Sequence, residues 1–380
     1  MNTSLSHLLT LTCIVGFAGA CLASEAKPVP AKPTDGRPAL LDGVKKILFL
    51  GDSLTDGSSY PDMVVNTLNK AYPGAGFEII NSGMCGDTTS NLVVRLQADV
   101  LDRDPDLVLL VIGTNDCMYD RPMADFRKNL AIVLDALKQR GIKVMIILPS
   151  HFTLSFFEDR FQRHLTAMKE IAAERQLPVA DVHGAFLVAQ QKGMKVIGPD
   201  GVHHGPDGFK VKAQAVLDAL GVKEPMDTVT RPWPGLQLEW ETSQPVPFIE
   251  ATNNPTLTAA TGWQPYDRAK AIATVPWHDA DYPRRGAWMP FAVTPPPKKS
   301  MAFGRTHYLA KEAGSADLWV GGSAPLYVWF NGVAVWSADR PKGYHPAAVR
   351  IPVTLVPGTN TITVMANFMA FAGIKPAVRP

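Results

Sequence analysis

The stretch Lys46-Ile47-Leu48-Phe49-Leu50-Gly51-Asp52-Ser53-Leu54-Thr55-Asp56-Gly57 decides how the chain folds. Ile47 to Leu50 are four apolar residues in a row, followed by a turn of glycine and small polar residues. Such a run reads as a short strand buried on both faces. Ser53 follows the strand by three residues and can sit on a tight turn with its hydroxyl outward. Serine in a turn is ordinarily a capping or hydrogen-bonding residue, so the turn alone assigns no chemistry.

Outward from this strand, apolar runs alternate with amphipathic stretches. Tyr60 to Ala71 reads as a helix with Pro61 in its first turn. Phe77 to Asn81 is strand-like. Thr88 to Leu101 places Leu92, Val93, Leu96 and Val100 at helical spacing. Asp106 to Ile112 is nearly continuous apolar sequence, as in a central strand. A helix is expected at Met123 to Arg140, a strand at Lys143 to Leu148 and a helix at Phe161 to Arg175. A short strand at Pro178 to Asp181 and a helix at Pro206 to Leu220 complete the series. This alternation predicts an α/β fold with parallel strands and right-handed crossovers. The expected product is a flavodoxin-like three-layer α/β/α unit with a five-stranded parallel sheet. In such sheets the chemistry gathers beyond the carboxyl ends of the strands.

Four loops at those ends matter. The first is Gly51-Asp52-Ser53-Leu54. The second is Asn81-Ser82-Gly83-Met84-Cys85-Gly86-Asp87-Thr88, the third Gly113-Thr114-Asn115-Asp116. The last is Asp200-Gly201-Val202-His203, just before the final helix. Singly, Gly86 is a turn glycine, Asn115 a cap and His203 a surface imidazole. Together and in this order, they resemble the four blocks of the SGNH, or GDSL, hydrolase family. The resemblance covers about Lys45 to Val222.

It implies a serine ester hydrolase with no cofactor. Ser53 is the expected nucleophile, His203 the base, and Asp200, three residues earlier, the carboxylate that orients the imidazole. The expected oxyanion donors are the backbone N–H groups of Ser53 and Gly86 and the side-chain amide of Asn115. Glycine suits a backbone that must approach substrate closely. Asp52, Asp87 and Asp116 are expected to brace loop backbone rather than react. His204 lacks the Asp-x-x-His spacing. His164 and His183 read as packing or surface residues. His151, Phe156 and Phe157 follow the fourth strand, with Phe152 and Leu154, and are candidate walls of a substrate pocket; the alternative is packing beneath a loop. Cys85 and Cys117 flank the two oxyanion groups and admit either a disulfide or two free thiols. No metal-ligand spacing occurs, so no metal is expected.

Composition changes after Glu224. Prolines become dense and period-two alternation appears. Leu326 to Phe330, Asn331-Gly332 and Val333 to Trp336 predict a two-residue hairpin. Val349 to Leu355 and Thr361 to Phe368 alternate on either side of Pro357-Gly358. All eight tryptophans lie between Trp233 and Trp336. An all-β sandwich follows, and its wording resembles jelly-roll, galactose-binding-like domains. Such tryptophans serve either as core residues or as faces for sugars. His278-Asp279-Ala280-Asp281 reads as a polar turn rather than a calcium site.

Leu8 to Leu22 is an apolar run followed by small residues, the layout of a signal peptide, although no Lys or Arg precedes Lys27. Acylation at Cys21, giving a lipoprotein, is the alternative. The expected divisions are a signal peptide at 1–23 and a Pro/Ala-rich leader at 24–42. A hydrolase domain at 43–224 and a β-sandwich accessory domain at 225–380 follow. No other segment is long and apolar enough to span a membrane. With a net charge of +2 and 19% charged residues, the chain lacks the basic field that nucleic acid binding needs. The expected partner is a small-molecule or polysaccharide ester, with O-acetylated carbohydrate favoured by export and the appended sheets. A lysophospholipase, arylesterase or thioesterase is the alternative. A non-catalytic carbohydrate-binding surface protein is the alternative of another class. Oligomeric state is not legible.

Overall fold

The computed structural model describes residues 36–56, 58–229, 233, 235–247, 255–267, 289–290, 300–322, 325–339, 349–366 and 369–377. The expected signal peptide, most of the leader and the His278 to Asp281 turn lie outside the described residues.

The first part is built on five strands: β1 Lys46–Gly51, β2 Glu78–Gly83, β3 Leu107–Leu110, β4 Lys143–Ile147 and β5 Val179–Ala180. They are parallel and ordered β2-β1-β3-β4-β5, the flavodoxin-like order. The helices are α1 Ser53–Asp56, α2 Tyr60–Ala71, α3 Thr89–Asp99, α4 Thr114–Met118, α5 Met123–Gln139, α6 Glu158–Glu174, α7 Val182–Gln191 and α8 Pro206–Ala219.

Strand alternation divides the core into two layers. Leu48 and Leu50 of β1 join Leu92, Leu96, Phe126, Leu130 and Phe161 on one face of the sheet. Ile47 and Phe49 join Tyr60, Val64, Leu68, Phe186, Phe209 and Val216 on the other. Helices α3, α5 and α6 therefore cover one face, and α2, α7 and α8 the other. Three helices escaped the sequence reading. α1 and α4 are single turns, too short to show a period. α7 is apolar nearly all round, with Val188 about half exposed, so it carries no stripe.

The later strands are β6 Glu241–Thr242, β7 Val246–Pro247, β8 Gln264–Pro265, β9 Met289–Pro290, β10 Ser300–Ala310, β11 Gly314–Gly322, β12 Leu326–Phe330, β13 Val333–Ala338, β14 Val349–Leu355, β15 Gly358–Ala366 and β16 Met369–Pro376. They form two antiparallel sheets. One runs β13-β12-β15-β10-β6-β8, with β7 on β10, and the other β14-β11-β16-β9. The predicted hairpin forms: Phe330 pairs Val333, and Asn331 and Gly332 take φ of 48° and 81°. These left-handed values are what a type I′ turn demands. By contrast β14 and β15, on either side of Pro357-Gly358, belong to different sheets. The chain crosses between sheets there. Leu318, Val320, Ile351 and Ala372 from one sheet share a core with Val328, Phe330, Ile362 and Val364 from the other.

Gly83 ends β2 where α1 crosses it. A Cβ there would lie 2.3 Å from the Asp56 backbone nitrogen and 2.7 Å from its Cα. Backbone cannot retreat as a flexible side chain can. Gly83→Ala is therefore expected to lower unfolding free energy by about 1–3 kcal/mol, read as a shifted midpoint in urea at unchanged slope.

Candidate active site

Gly51 closes β1, and the chain turns at Asp52 into α1. The turn is capped from within. The Asp52 Oδ1 accepts the Leu54 N–H at 2.9 Å, and the Asp52 carbonyl accepts those of Thr55 and Asp56 at 3.0 Å each. Ser53 opens the helix, where a backbone N–H has no intrahelical acceptor. Its hydroxyl meets the last block: Ser53 Oγ lies 3.0 Å from His203 Nε2. On the other side of the ring, His203 Nδ1 lies 2.5 Å from Asp200 Oδ2. Residues 150 positions apart thus form one chain of hydrogen bonds.

The Asp200 loop is self-supporting. Asp200 Oδ1 accepts the N–H groups of Val202 and His203 at 3.0 and 2.9 Å. Gly201 takes φ +77° between them. Burial alone raises the Asp200 pKa, but the bonds from Val202 and His203 outweigh it and hold the carboxyl below its ordinary range. The loop after β4 rests on this turn through the Thr153 N–H, which donates to the Gly201 carbonyl at 2.8 Å.

Gly86 takes φ +80°, and the nearest atom to a Cβ built there is Tyr119 Oη at 3.9 Å. The second block is therefore open on that side. Asn115 is the second residue of α4 and nearly buried, and its Nδ2 donates to the Asp87 carbonyl at 2.9 Å. That bond uses one of the two amide hydrogens and fixes the plane of the other.

The carboxylates of the three discounted aspartates all have partners, that of Asp52 being the Leu54 N–H. Asp116 is fully buried and accepts Thr89 N–H and Thr89 Oγ1 at 3.0 and 2.7 Å. Asp87 pairs with Arg95 Nε at 2.6 Å. Burial raises the pKa of both carboxyls, offset by Arg95 at Asp87 and by Thr89 at Asp116. His204 faces away from the crevice. It is buried against Phe186 and Phe209, with Nε2 2.6 Å from Ser150 Oγ, and burial holds it neutral. His164 is likewise buried, its Nδ1 2.8 Å from the Arg160 carbonyl.

The pocket candidates separate. Phe152 is core, packed edge-to-face with Phe157 and Phe161. Phe157 is half-buried against that core, and His151 packs on His183. Phe156 is 82% exposed, with the Arg160 guanidinium over its ring and Phe157 edge-on to it. Of the three, only Phe156 offers open apolar surface.

The cysteines are not bonded to each other. Cys85 is exposed on its loop, whereas Cys117 lies on the inner face of α4 with its thiol 3.7 Å from the Phe157 carbonyl. The disulfide expectation is corrected in favour of two free thiols. Convergence of two loops on one oxygen constrains Gly86 N–H and the Asn115 amide, not the side chains beside them. Burial pushes the Cys117 thiol up to about 11 and also raises Cys85, so neither is an activated thiolate. Among the described residues, no group of three or more His, Cys, Asp or Glu could hold a metal ion.

Two residues went unread in the sequence. Arg95 reaches Asp87, Ser82 Oγ, the Ser82 carbonyl and the Gly51 carbonyl, at 2.6 to 3.1 Å. It ties the ends of β1 and β2 to the second block. Lys212 is 1% exposed on the inner face of α8. Its Nζ donates to the Leu54 carbonyl at 2.9 Å and lies 4.1 Å from the Tyr60 ring centroid. The signal was present: Lys212 falls on the helix face marked by Phe209, Ala213 and Val216.

Asp52 is also fully buried, and its Oδ2 has no hydrogen-bond partner among the described residues. Burial pushes Asp52 up and Lys212 down, and each charge restrains the other. Removing one partner strands the other. Lys212→Met is expected to cost roughly 3 kcal/mol of stability, and Asp52→Asn in the same chain should restore part of it. A double-mutant cycle in urea reads this coupling, and additive losses would dismiss it.

A sequence profile of the GDSL-like lipase/acylhydrolase family matches residues 49–211. The chain is 30% identical over 213 residues to an acetylxylan esterase of Geobacillus stearothermophilus, spanning 47% of this chain and 94% of that one. It is 26% identical over 220 residues to the uncharacterized lipoprotein YqeF of Bacillus subtilis strain 168, spanning 46% and 89%. A solved structure of an acetyl xylan esterase from Geobacillus stearothermophilus superimposes with a TM-score of 0.44 at 23% identity, covering 48% of this chain and 97% of that one. Residues beyond 211 lie outside the family match. With the four blocks in order on the expected sheet, the chain belongs to the GDSL-like lipase/acylhydrolase family and is a serine ester hydrolase.

Proposed function

We propose that the chain is an exported esterase that removes acetyl groups from O-acetylated carbohydrates through an acyl-enzyme at Ser53. One observation carries the mechanism: the unbroken series Ser53 Oγ, His203 and Asp200, with spacings of 3.0 and 2.5 Å. His203 Nε2 takes the Ser53 proton as Oγ bonds to the ester carbonyl carbon. Asp200 holds Nδ1–H and stabilises the imidazolium. The carbonyl π electrons move to oxygen, where the N–H groups of Ser53 and Gly86 and the free amide hydrogen of Asn115 receive the charge. The tetrahedral adduct collapses, the alcohol leaves with the proton from His203, and Ser53 stays acetylated. Water, deprotonated by His203, repeats the sequence and releases acetate. Serine, histidine, aspartate and three amides supply every group these steps require.

The acetyl carbohydrate reading draws on the acetylxylan esterase likeness and on the appended antiparallel sheets. Export draws on the apolar run Leu8 to Leu22, and the likeness to a protein called a lipoprotein keeps anchoring through Cys21 as the second route. The chain divides functionally at 224/225. Residues 43–224 carry every proposed catalytic group, although Leu41 of the expected leader is buried in one of their two cores and Met226 packs on it, so the folded unit reaches past both bounds. The reading of 225–380 as a jelly-roll-like sandwich draws on the two antiparallel sheets that share another core among the described residues.

Ser53→Ala should abolish release of p-nitrophenol from p-nitrophenyl acetate, a loss of about 10⁶ in turnover. Asn115→Ala, which keeps the nucleophile, should lose about 10² to 10³. Acetate release from acetylated xylan and other acetylated glycans, set against p-nitrophenyl esters of increasing chain length, tests the substrate. A preference for long acyl chains would place Phe156 in a lipid-binding wall and overturn the carbohydrate reading.

A further inference from the structure

Away from the Ser53 crevice, a cavity of about 580 Å³ opens between α2 and the four-stranded sheet. Strand register builds one wall. Ala316, Leu318 and Val320 of β11 point into the core between the sheets, so Asp317 and Trp319 point the other way. Arg350 of β14 pairs with Trp319 and shares its face. On the other strand beside β11, Gly373 of β16 pairs with Trp319. A Cβ on Gly373 would strike the indole at 1.9 Å, so the ring lies flat on bare backbone.

The opposite wall is helical. Asp62 and Asn66 are four residues apart on α2 and line the cavity together. Trp233 joins the walls. Its Nε1 donates to Asp62 Oδ1 at 3.1 Å, and its half-buried ring packs edge-on against Trp319 and Phe371 at centroid distances of 6.3 and 5.6 Å.

The lining decides the ligand class. Carboxylates of Asp62, Glu78 and Asp317 share the space with the cations of Arg350 and Lys375. A phosphate would meet three like charges, and a metal ion two. An acyl chain would desolvate all five without replacing their hydrogen bonds. A neutral ligand with apolar ring faces and many hydroxyls suits the half-buried Trp233 indole, which the buried Trp319 backs, and the planar amide, guanidinium and carboxylate groups. The volume lies within the usual range of small-ligand sites, about 300–1,000 Å³. The geometry points to a saccharide-binding site for a short stretch of neutral glycan, distinct from the catalytic one.

Its position supports the separation. Phe77, Glu78 and Ile79 touch the cavity at the start of β2, whereas the catalytic loops follow the strand ends. A six-residue strand puts roughly 15–20 Å between those levels. A glycan held here leaves the crevice free for an ester on the same or a neighbouring chain.

The test uses the full chain carrying Ser53→Ala and unesterified xylohexaose or cellohexaose in a calorimeter, so it does not depend on the ester reading. Binding of at least one oligosaccharide is expected. Trp233→Ala and Arg350→Ala should each weaken it at least about tenfold. If Trp233→Ala fails to fold, Asn66→Ala takes its place. With Ser53 restored, Arg350→Ala should hydrolyse p-nitrophenyl acetate within about twofold of the parent. Absence of binding to both oligosaccharides, or binding that both cavity variants leave unchanged, overturns the site. Loss of p-nitrophenyl acetate hydrolysis in the parent would instead remove the esterase reading and leave the cavity result standing.

Discussion

Behind the Ser53 turn, Asp52 and Lys212 are both buried, and both bind the backbone of one residue, Leu54. Asp52 receives the Leu54 N–H, and the Lys212 ammonium donates to the Leu54 carbonyl. Each charge is costly alone in such surroundings and less costly beside the other. Lys212 lies on α8, the helix that directly follows the His203 loop, so its bond to Leu54 ties that helix to the Ser53 turn. The 3.0 Å hydrogen bond between Ser53 Oγ and His203 Nε2 joins the same two segments nearer the surface.

The other blocks hang on the same frame through polar side chains that reach across loops. Arg95 gathers carbonyls of Gly51 and Ser82 and the carboxylate of Asp87. Asp87 then offers its carbonyl to Asn115. Asn81 accepts the Gly83 N–H and donates to the Thr55 carbonyl, tying β2 to α1. The proposed oxyanion donors are therefore held by groups that themselves have fixed partners. Such support is what preorganised donors require, since reorganisation during the reaction would forfeit most of their benefit.

Legibility differed by element. The five strands and the long helices were readable because Ile47 to Leu50, or Leu92 with Leu96, repeat apolar residues at the period of their structure. Ser53, Asp200 and His203 became candidates only together, because four short blocks follow one another in the order of a known family, whereas each block alone is an ordinary turn. Lys212 and Arg95 were not, because a lone cation on an apolar helix face becomes meaningful only when its acceptors are known. The acceptors of Arg95 come from residues 51, 82 and 87, which no local window joins. The cysteines show the opposite failure. Proximity of two backbones was legible, but the rotation of α4 that sends Cys117 inward was not.

The sandwich-forming half divides in the same way. Asn331-Gly332 specifies its hairpin locally, because left-handed φ at both positions is cheap only for residues of this kind. Pro357-Gly358 looks alike on paper, yet it carries the chain from one sheet to the other, since the partners of β14 and β15 are chosen by strands dozens of residues away. Local sequence by itself determined the α/β alternation, the identity of the four blocks and the turns, because propensity, periodicity and backbone dihedrals are properties of neighbours. Tertiary structure alone decided which buried charges brace the Ser53 turn, how the two thiols face, and that a tryptophan-lined cavity forms beside α2, because burial and electrostatic partnership exist only once distant segments exclude water from one another.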